Sequence, residues 1–162
     1  AVDRLIRRMR RAVGCELVSK HGGMRALLRA LARGHSVGFL VDTRQDDGEW
    51  VPFFGVPALT STVPARLALR HGIDLVPGRI ERIGTGANFR VTMGPPIEPD
   101  PALTDEREQA RAMTQRVNEQ LASWIRARPE QWICTKQRWP KDAIPAGASP
   151  QLEASAEPEP RS

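Results

Sequence analysis

The stretch HSVGFLVDTRQDDGEWVPFFGVPA, His35 to Ala58, decides the fold that we expect for this 162-residue chain. Its first eight residues form a short, continuous apolar run that ends in the acid Asp42. Such a run is typical of a strand that is buried on both faces, as in a parallel sheet. The residues that follow are polar and charged at first, and then include two adjacent phenylalanines. We therefore predict a buried parallel strand followed by a charged loop.

Outward from this stretch, the periodicity of apolar residues predicts helices that alternate with strands. The predicted helices span residues 2–13, 24–33, 60–72 and 105–128. The predicted strands span residues 15–18, 35–42, 73–82 and 88–95. In the second helix Leu27, Leu28 and Leu31 are expected to face inward, and Gly72 is expected to end the third. The buried stripe of the last helix is predicted to be Met113, Val117, Leu121 and Trp124.

This alternation predicts an α/β fold with a mostly parallel sheet flanked by helices. Residues 1–140 are expected to form the folded part, which we expect to be incomplete at its N-terminus. From Lys141 onward the chain is rich in Ala, Pro, Ser and Glu, so residues 141–162 are predicted to be a disordered tail. Ligands of open α/β sheets bind beyond the carboxyl ends of the strands. That rule places Asp42 and the following loop where a ligand is expected.

The loop after Asp42 supplies candidate substrate-binding residues. Phe53 and Phe54, followed by Gly55, can form the wall of an apolar pocket. The alternative is core packing where the loop returns to the sheet, and composition by itself favours that alternative. The acids of the loop, Asp46, Asp47 and Glu49, have a comparable alternative as a solvated turn.

Basic groups could complete such a site. The planar guanidinium groups of Arg25, Arg44 and Arg66 could bind phosphate or carboxylate. The helix that begins near Ser61 presents free backbone N–H groups, which attract anions. These residues predict an anionic or amphipathic ligand without specifying it.

The charge of the chain favours anionic partners. Residues 1–140 contain 22 basic and 15 acidic residues, a net charge of +7. A positive surplus suits nucleic acid, phospholipid headgroups or phosphorylated glycolipids. A basic nucleic-acid-binding module is therefore a second hypothesis, although the few aromatic residues are not interleaved with the charges as base-stacking surfaces require. No apolar run approaches the roughly 18 residues of a membrane span, so any membrane contact of this chain is expected to be peripheral.

No catalytic arrangement is evident among the residues of this chain. Its three histidines, His21, His35 and His71, have no partners at metal-ligand spacing. The sequence contains neither a G-x-S-x-G elbow nor a glycine-rich phosphate loop. We therefore predict no catalytic residue and no metal ligand within these 162 residues.

The order of several segments resembles a known family. These segments are GGMRALLRALARGHSVGFLVD, DGEWVPFFGVPALT, RLALRHGIDLVPGRIER and NEQLASWIRARPEQW with RWPK. Together they resemble the late acyltransferases of lipid A biosynthesis, the lauroyl and myristoyl transferases related to glycerolipid acyltransferases. The resemblance covers roughly residues 2–141, so residues 1–140 are expected to be the C-terminal part of an acyltransferase domain.

The resemblance implies a reaction and its partners. A histidine in an H-x4-D/E motif takes the proton of a hydroxyl on a lipid A precursor or related glycolipid, which attacks an acyl carrier protein thioester. It implies no cofactor, no nucleic acid, a membrane-surface partner and a location at the cytoplasmic face of the bacterial inner membrane. Residues Asp42, Phe53, Phe54, Gly55, Arg25 and Arg66 are then expected to bind substrate.

The sequence also departs from the family pattern. His21, His35 and His71 are followed at the required spacing by Ala26, Leu40 and Val76, so the H-x4-D/E motif is not present and the isolated chain is expected to be inactive. Near the C-terminus, Cys134, Lys136 and Gln137 replace typical aromatic and basic residues. A catalytically dead remnant that binds lipid or a protein partner is therefore an alternative.

Overall fold

The computed structural model describes residues 8, 14, 17–18, 23–134 and 137–140. It divides into two compact units, Ala1–Phe39 and Leu40–Ser162. The predicted tail at 141–162 lies outside the described residues. The elements are α1 (Met24–Ala32), β1 (Glu49–Phe53), β2 (Val56–Thr60), α2 (Val63–His71), β3 (Gly78–Ile83), β4 (Asn88–Met93), α3 (Glu106–Ala127) and a 3₁₀ turn (Pro129–Gln131).

The first unit contains α1, as predicted. No residue of α1 is fully buried; of the predicted inward stripe, Leu27 and Leu31 are half-buried and Leu28 is 37% exposed. Of the helix predicted at 2–13, only Arg8 is described, and it is helical. Of the strand predicted at 15–18, Leu17 and Val18 are described, and neither is in a strand.

The parallel strand predicted at 35–42 is not formed. A strand needs a neighbour whose backbone groups pair with its own N–H and C=O groups. Among the described residues, each of the two hairpins pairs only within itself, and both are antiparallel. The mixture of helices and strands is therefore confirmed, whereas the predicted mostly parallel sheet is not found in the described part of the chain.

The charged loop predicted after Asp42 instead contains the hairpin β1–β2. Its burial alternates along both strands, with Val51, Phe53 and Ala58 buried. In the sequence, Pro52 and Pro57 argue against a strand here, because proline has no N–H to donate to a neighbouring strand. They pair with each other next to the turn, at a position where the backbone N–H would point away from the partner strand. No ladder hydrogen bond is lost there, which explains why the hairpin tolerates both prolines.

Helices α2 and α3 pack together, and α3 also packs on β1. Helix α2 ends at Gly72, whose φ of 58° is left-handed, as its predicted role at the helix end requires. Helix α3 begins at Asp105, whose carboxylate accepts a hydrogen bond from the backbone N–H of Glu108 at 2.8 Å. One core cluster contains Ala65, Ala68, Ala110 and Met113, and a second contains Phe53, Ala58 and Ala122.

The second hairpin, β3–β4, confirms that two strands flank the predicted glycine turn, but the first begins at Gly78, and residues 73–77 of the predicted strand are not in a strand. One face lies against the C-terminal part of α3, where the Arg79 guanidinium is 5.4 Å from the Trp124 ring centroid. The buried carboxylate of Glu81 pairs with Arg79 at 3.0 Å and with Arg128 at 3.7 Å. The other face is exposed. Within the described residues, no helix has the length and apolar character that crossing a membrane requires.

Candidate functional site

The turn of the β1–β2 hairpin consists of Phe54 and Gly55, with φ angles of 55° and 80°. Positive φ at both positions is the backbone of a type I′ turn, which matches the twist of the two strands. Gly55 adopts this conformation readily, but Phe54 is the one non-glycine residue with positive φ in the described part of the chain. Such a conformation costs a side chain of this size about 1–2 kcal/mol. Surrounding contacts must therefore hold Phe54 in place.

Those contacts come from an aromatic cluster that we define as Phe53, Phe54, Trp132 and Trp139. All six pairs of ring centroids lie between 4.9 and 6.4 Å apart. These separations are in the favourable range for aromatic pairs. The predicted alternative of core packing is therefore confirmed for Phe53, which is 1% exposed, while Phe54 is only partly buried.

Two hydrogen bonds fix the indole rings of this cluster. The Trp139 Nε1–H donates to the carbonyl of Phe53 at 3.2 Å. The Trp132 Nε1–H donates to the Oδ2 of Asp42 at 3.3 Å. Asp42 thus lies beside the aromatic cluster, and the structure brings together four predicted site residues: Asp42, Phe53, Phe54 and Gly55.

Arg138 is a buried cation beneath the cluster. Its side chain donates to the carbonyl of Leu59 at 2.7 Å and to the Oγ1 of Thr60 at 2.6 Å, and its guanidinium is 4.9 Å from the Phe53 ring centroid. Its Nε has no hydrogen-bond partner among the described residues. Burial lowers the pKa of Arg138, while the charge of Asp42 acts in the opposite direction. These bonds attach the C-terminal segment to β2.

A second arginine lies over the exposed side of the cluster. The guanidinium of Arg126 is 4.7 Å from the Phe54 ring centroid, and Arg126 is exposed. The turn therefore presents an aromatic edge, a nearby carboxylate at Asp42 and an exposed cation. This combination can bind a ligand that has both an apolar part and a polar or anionic part.

Arg66 belongs to a different group. At the start of β1, Glu49 accepts hydrogen bonds from the Thr62 hydroxyl at 3.0 Å and from Arg107 Nε at 3.1 Å. Burial acts to raise the pKa of Glu49, but these bonds and the charges of Arg107 and Arg66 lower it below its ordinary value. Glu49 and Phe53 are at opposite ends of β1, about 13 Å apart at about 3.3 Å per residue. The carboxylate of Glu49 lies beside Thr62, the residue that precedes α2. A negative charge is favourable there, because the N-terminal end of a helix carries a partial positive charge.

The two other arginines predicted to bind a ligand are Arg25, which belongs to the first unit, and Arg44, which belongs to the second. Arg25 is an exposed residue of α1 in the first unit. Arg44 pairs with the exposed Asp46 at 2.7 Å, so its guanidinium is already engaged. The described residues contain no group of three or more His, Cys, Asp or Glu that could hold a metal ion.

The substrate-binding set predicted from sequence omitted Trp132, Trp139, Arg138 and Arg126. A signal for three of them was available, because the PEQW and RWPK segments carry Trp132, Arg138 and Trp139 and also carry the resemblance. Their proximity to Phe53 across about 80 positions has no local signal in the sequence. Arg126 has no such signal either, since nothing in the sequence distinguishes it from the many other arginines of the chain.

Comparison with known proteins identifies the family. Residues 1–141 match the family described as bacterial lipid A biosynthesis acyltransferase. The chain is also 30% identical over 138 residues to phosphatidylinositol mannoside acyltransferases from two strains of Mycobacterium tuberculosis. Each alignment covers 82% of this chain and 41% of the relative, so the chain spans about two fifths of the length of these curated relatives.

The family match extends over both units and ends just after the RWP segment that supplies Arg138 and Trp139. It therefore includes every residue of the aromatic cluster, together with Asp42 and Arg126. The chain therefore belongs to the bacterial lipid A biosynthesis acyltransferase family.

Proposed function

We propose that this chain contributes the substrate-facing wall of a glycolipid acyltransferase, with the aromatic cluster and Asp42 at that wall. The observation that carries the proposal is the convergence of three separate segments, PFFG, PEQW and RWP, around the strained turn at Phe54. A side chain held against its backbone preference is a reasonable candidate for a functional position.

The proposed reaction forms an ester between a fatty acyl group and a sugar hydroxyl of a glycolipid. A histidine of an H-x4-D/E motif, which these 162 residues do not contain, accepts the hydroxyl proton. The hydroxyl oxygen then attacks the thioester carbonyl of acylated acyl carrier protein, and the thiol is released. The base must be within hydrogen-bond reach of the hydroxyl.

In this proposal the rings and the charged groups have different roles. The partly buried ring of Phe54 contacts the acyl chain or the lipid part of the acceptor. Asp42 accepts a hydrogen bond from a sugar hydroxyl with the lone pairs that Trp132 leaves free, and Arg126 pairs with a phosphate or carboxylate. We place the reaction at the cytoplasmic face of the inner membrane, where a lipid A precursor or a phosphatidylinositol mannoside would be the acceptor.

The test compares the chain of 1–162 with a longer polypeptide in which an H-x4-D/E block precedes it. We expect transfer from acyl carrier protein to a glycolipid by the longer polypeptide and none by residues 1–162. Turnover by purified 1–162 that is lost on substitution of His21, His35 or His71 would contradict this assignment of the base. Absence of turnover in both, together with retained glycolipid binding, would favour the catalytically dead remnant.

A further inference from the structure

Asn118 of α3 is a buried polar residue beside β1. It is 1% exposed, and its Nδ2 donates a hydrogen bond to the carbonyl of Pro52 at 2.9 Å. Pro52 and Pro57 form the pair next to the one that closes the turn, so the backbone groups of Pro52 point away from β2. The amide of Asn118 therefore gives this outward carbonyl a hydrogen-bond partner and joins α3 to β1.

Asn118 is the first of three residues of α3 that contact the end of the β1–β2 hairpin. Residues 118, 122 and 126 are four positions apart, so they lie on one face of the helix. Ala122 lies in the same buried cluster as Phe53, and the guanidinium of Arg126 is 4.7 Å from the Phe54 ring centroid. Three successive residues of the hairpin thus meet this face of α3 in the same order along both elements.

Of these three contacts, that of Asn118 is the one that can fix the position of α3 along β1. The contact of Ala122 is apolar, and apolar contacts have no preferred direction. The contact of Arg126 with the ring is at the exposed surface, where such an attraction is weak. A hydrogen bond weakens steeply when its donor moves out of line, so a slide of the helix would break the bond to Pro52. A slide of one turn, about 5.4 Å, would also carry the guanidinium out of reach of the ring.

Stability gives little reason for an amide at this position. The Oδ1 of Asn118 is buried and has no hydrogen-bond partner among the described residues. An unsatisfied buried acceptor costs about as much free energy as a typical hydrogen bond contributes, so the amide adds little net stability. Thr114, one turn earlier on the same face, instead donates its hydroxyl to the Ala110 carbonyl at 2.7 Å within the helix. Direction is therefore what Asn118 provides and an apolar residue of its size does not.

We propose that Asn118 is a positioning residue that sets where Arg126 presents its charge beside the Phe54 ring. Its bond to Pro52 fixes α3 along β1, and the helix backbone carries this constraint two turns onward to Arg126. Helical side chains lean toward the N-terminus of their helix, so Arg126 reaches back over the ring from the last turn of α3. This inference rests on the proposed function, in which Arg126 pairs with a phosphate or carboxylate of the acceptor. It adds the residue that determines where that anionic group is recognised.

Nuclear magnetic resonance of the purified chain tests the position of Arg126 without any assay of activity. The Phe54 ring shifts the proton resonances of the Arg126 side chain, and Arg126→Lys identifies these resonances by their loss. Asn118→Leu keeps the volume of the side chain but removes the donor, and it is expected to reduce the ring-induced shift by about half or more. Thr114→Val is the matched control. It also removes a buried hydrogen bond from this face of α3 but leaves the bond to Pro52, so the shift should be unchanged.

Several results would overturn the positioning role. Equal changes of the Arg126 resonances in Asn118→Leu and Thr114→Val would indicate a general loosening of α3. Unchanged resonances in Asn118→Leu would show that the bond to Pro52 does not place Arg126. Asn118→Ala removes the same donor without the branched side chain, and it must give the same result. Failure of both Asn118 variants to fold would show that the residue serves the fold as a whole and not the placement of Arg126.

Acyl transfer by the longer polypeptide with the H-x4-D/E block tests the consequence for the acceptor. Asn118→Leu is expected to raise KM for phosphatidylinositol mannoside about threefold to tenfold with little change in kcat, because it weakens a charge-assisted contact to the bound acceptor. In an Arg126→Ala background the same substitution should have no further effect on KM. An equal rise in KM with and without Arg126 would overturn the proposal. A reduced ring shift with an unchanged KM would confirm the positioning and contradict the role of Arg126 in the proposed function, so the two failures are distinguishable.

Discussion

Replacement of Phe54 separates the strain of the turn from the function of the ring. Phe54→Ala removes the ring but leaves a side chain with an unfavourable positive φ. Phe54→Asn also removes the ring, but it creates Asn-Gly, the sequence that type I′ turns prefer. The two variants are therefore a matched pair that differ mainly in backbone strain at one position.

The structure provides the magnitudes for unfolding. Full burial of a phenylalanine is worth about 1.5–3 kcal/mol, and a partly buried ring about half of that. The ring contacts of Phe54 and its contact with Arg126 add about 1 kcal/mol. Phe54→Ala should therefore lower the free energy of unfolding by about 2–2.5 kcal/mol. Phe54→Asn should lower it by about 1 kcal/mol less, because the positive φ is relieved. Urea unfolding at equilibrium measures both values.

The activity of the same two variants tests the role of the ring. If Phe54 contacts the lipid, both should reduce kcat/KM per folded molecule by about tenfold, since that loss corresponds to about 1.4 kcal/mol of lost binding. The assay measures acyl transfer in the longer polypeptide with the H-x4-D/E block. Normal kcat/KM in both variants would show that the ring is scaffold. Lower stability for Phe54→Asn than for Phe54→Ala would refute the positive-φ turn itself.

The remaining predictions concern the polar groups around the hairpin. Asp42→Asn keeps an oxygen that can accept from Trp132 but removes the charge that favours the buried Arg138 cation, so its melting temperature should fall less than that of Asp42→Ala, while kcat/KM falls in both. Unchanged kcat/KM in Asp42→Asn would remove Asp42 from the site. Arg138→Lys cannot reproduce the two-pronged contact with β2 and should lower the free energy of unfolding by about 1–3 kcal/mol in urea, whereas an unchanged midpoint would contradict the buried role of Arg138. The lowered pKa of Glu49 means that its ionised form stabilises the fold above the pKa of unfolded glutamate, and this contribution is lost as the pH falls through the lower folded value. The stability difference between the wild type and Glu49→Gln should therefore be largest near neutral pH and vanish in acid, and a difference independent of pH would contradict the ion-pair assignment.

Local features of the sequence determined several elements correctly. Helices α2 and α3 were predicted from the sequence, and the end of α2 follows from Gly72, which is left-handed. The β3–β4 hairpin follows from two alternating runs around a glycine turn. These features depend on interactions between residues a few positions apart, so the sequence contains the relevant information. The ordered segments PFFG, PEQW and RWPK were enough to indicate the family.

The tertiary structure alone decided the form of the candidate site. The sequence predicted a loop at the PFFG segment because the prolines obscure the alternation of β1 and β2, and only the pairing register shows that they occupy outward positions. The cluster of Phe53 and Phe54 with Trp132 and Trp139 joins residues about 80 positions apart, and no local pattern encodes such contacts. The charge of Arg66 instead acts on Glu49, at the opposite end of β1 from the cluster. Burial and register depend on how distant segments pack, and they determine which chemically suitable residues share a site.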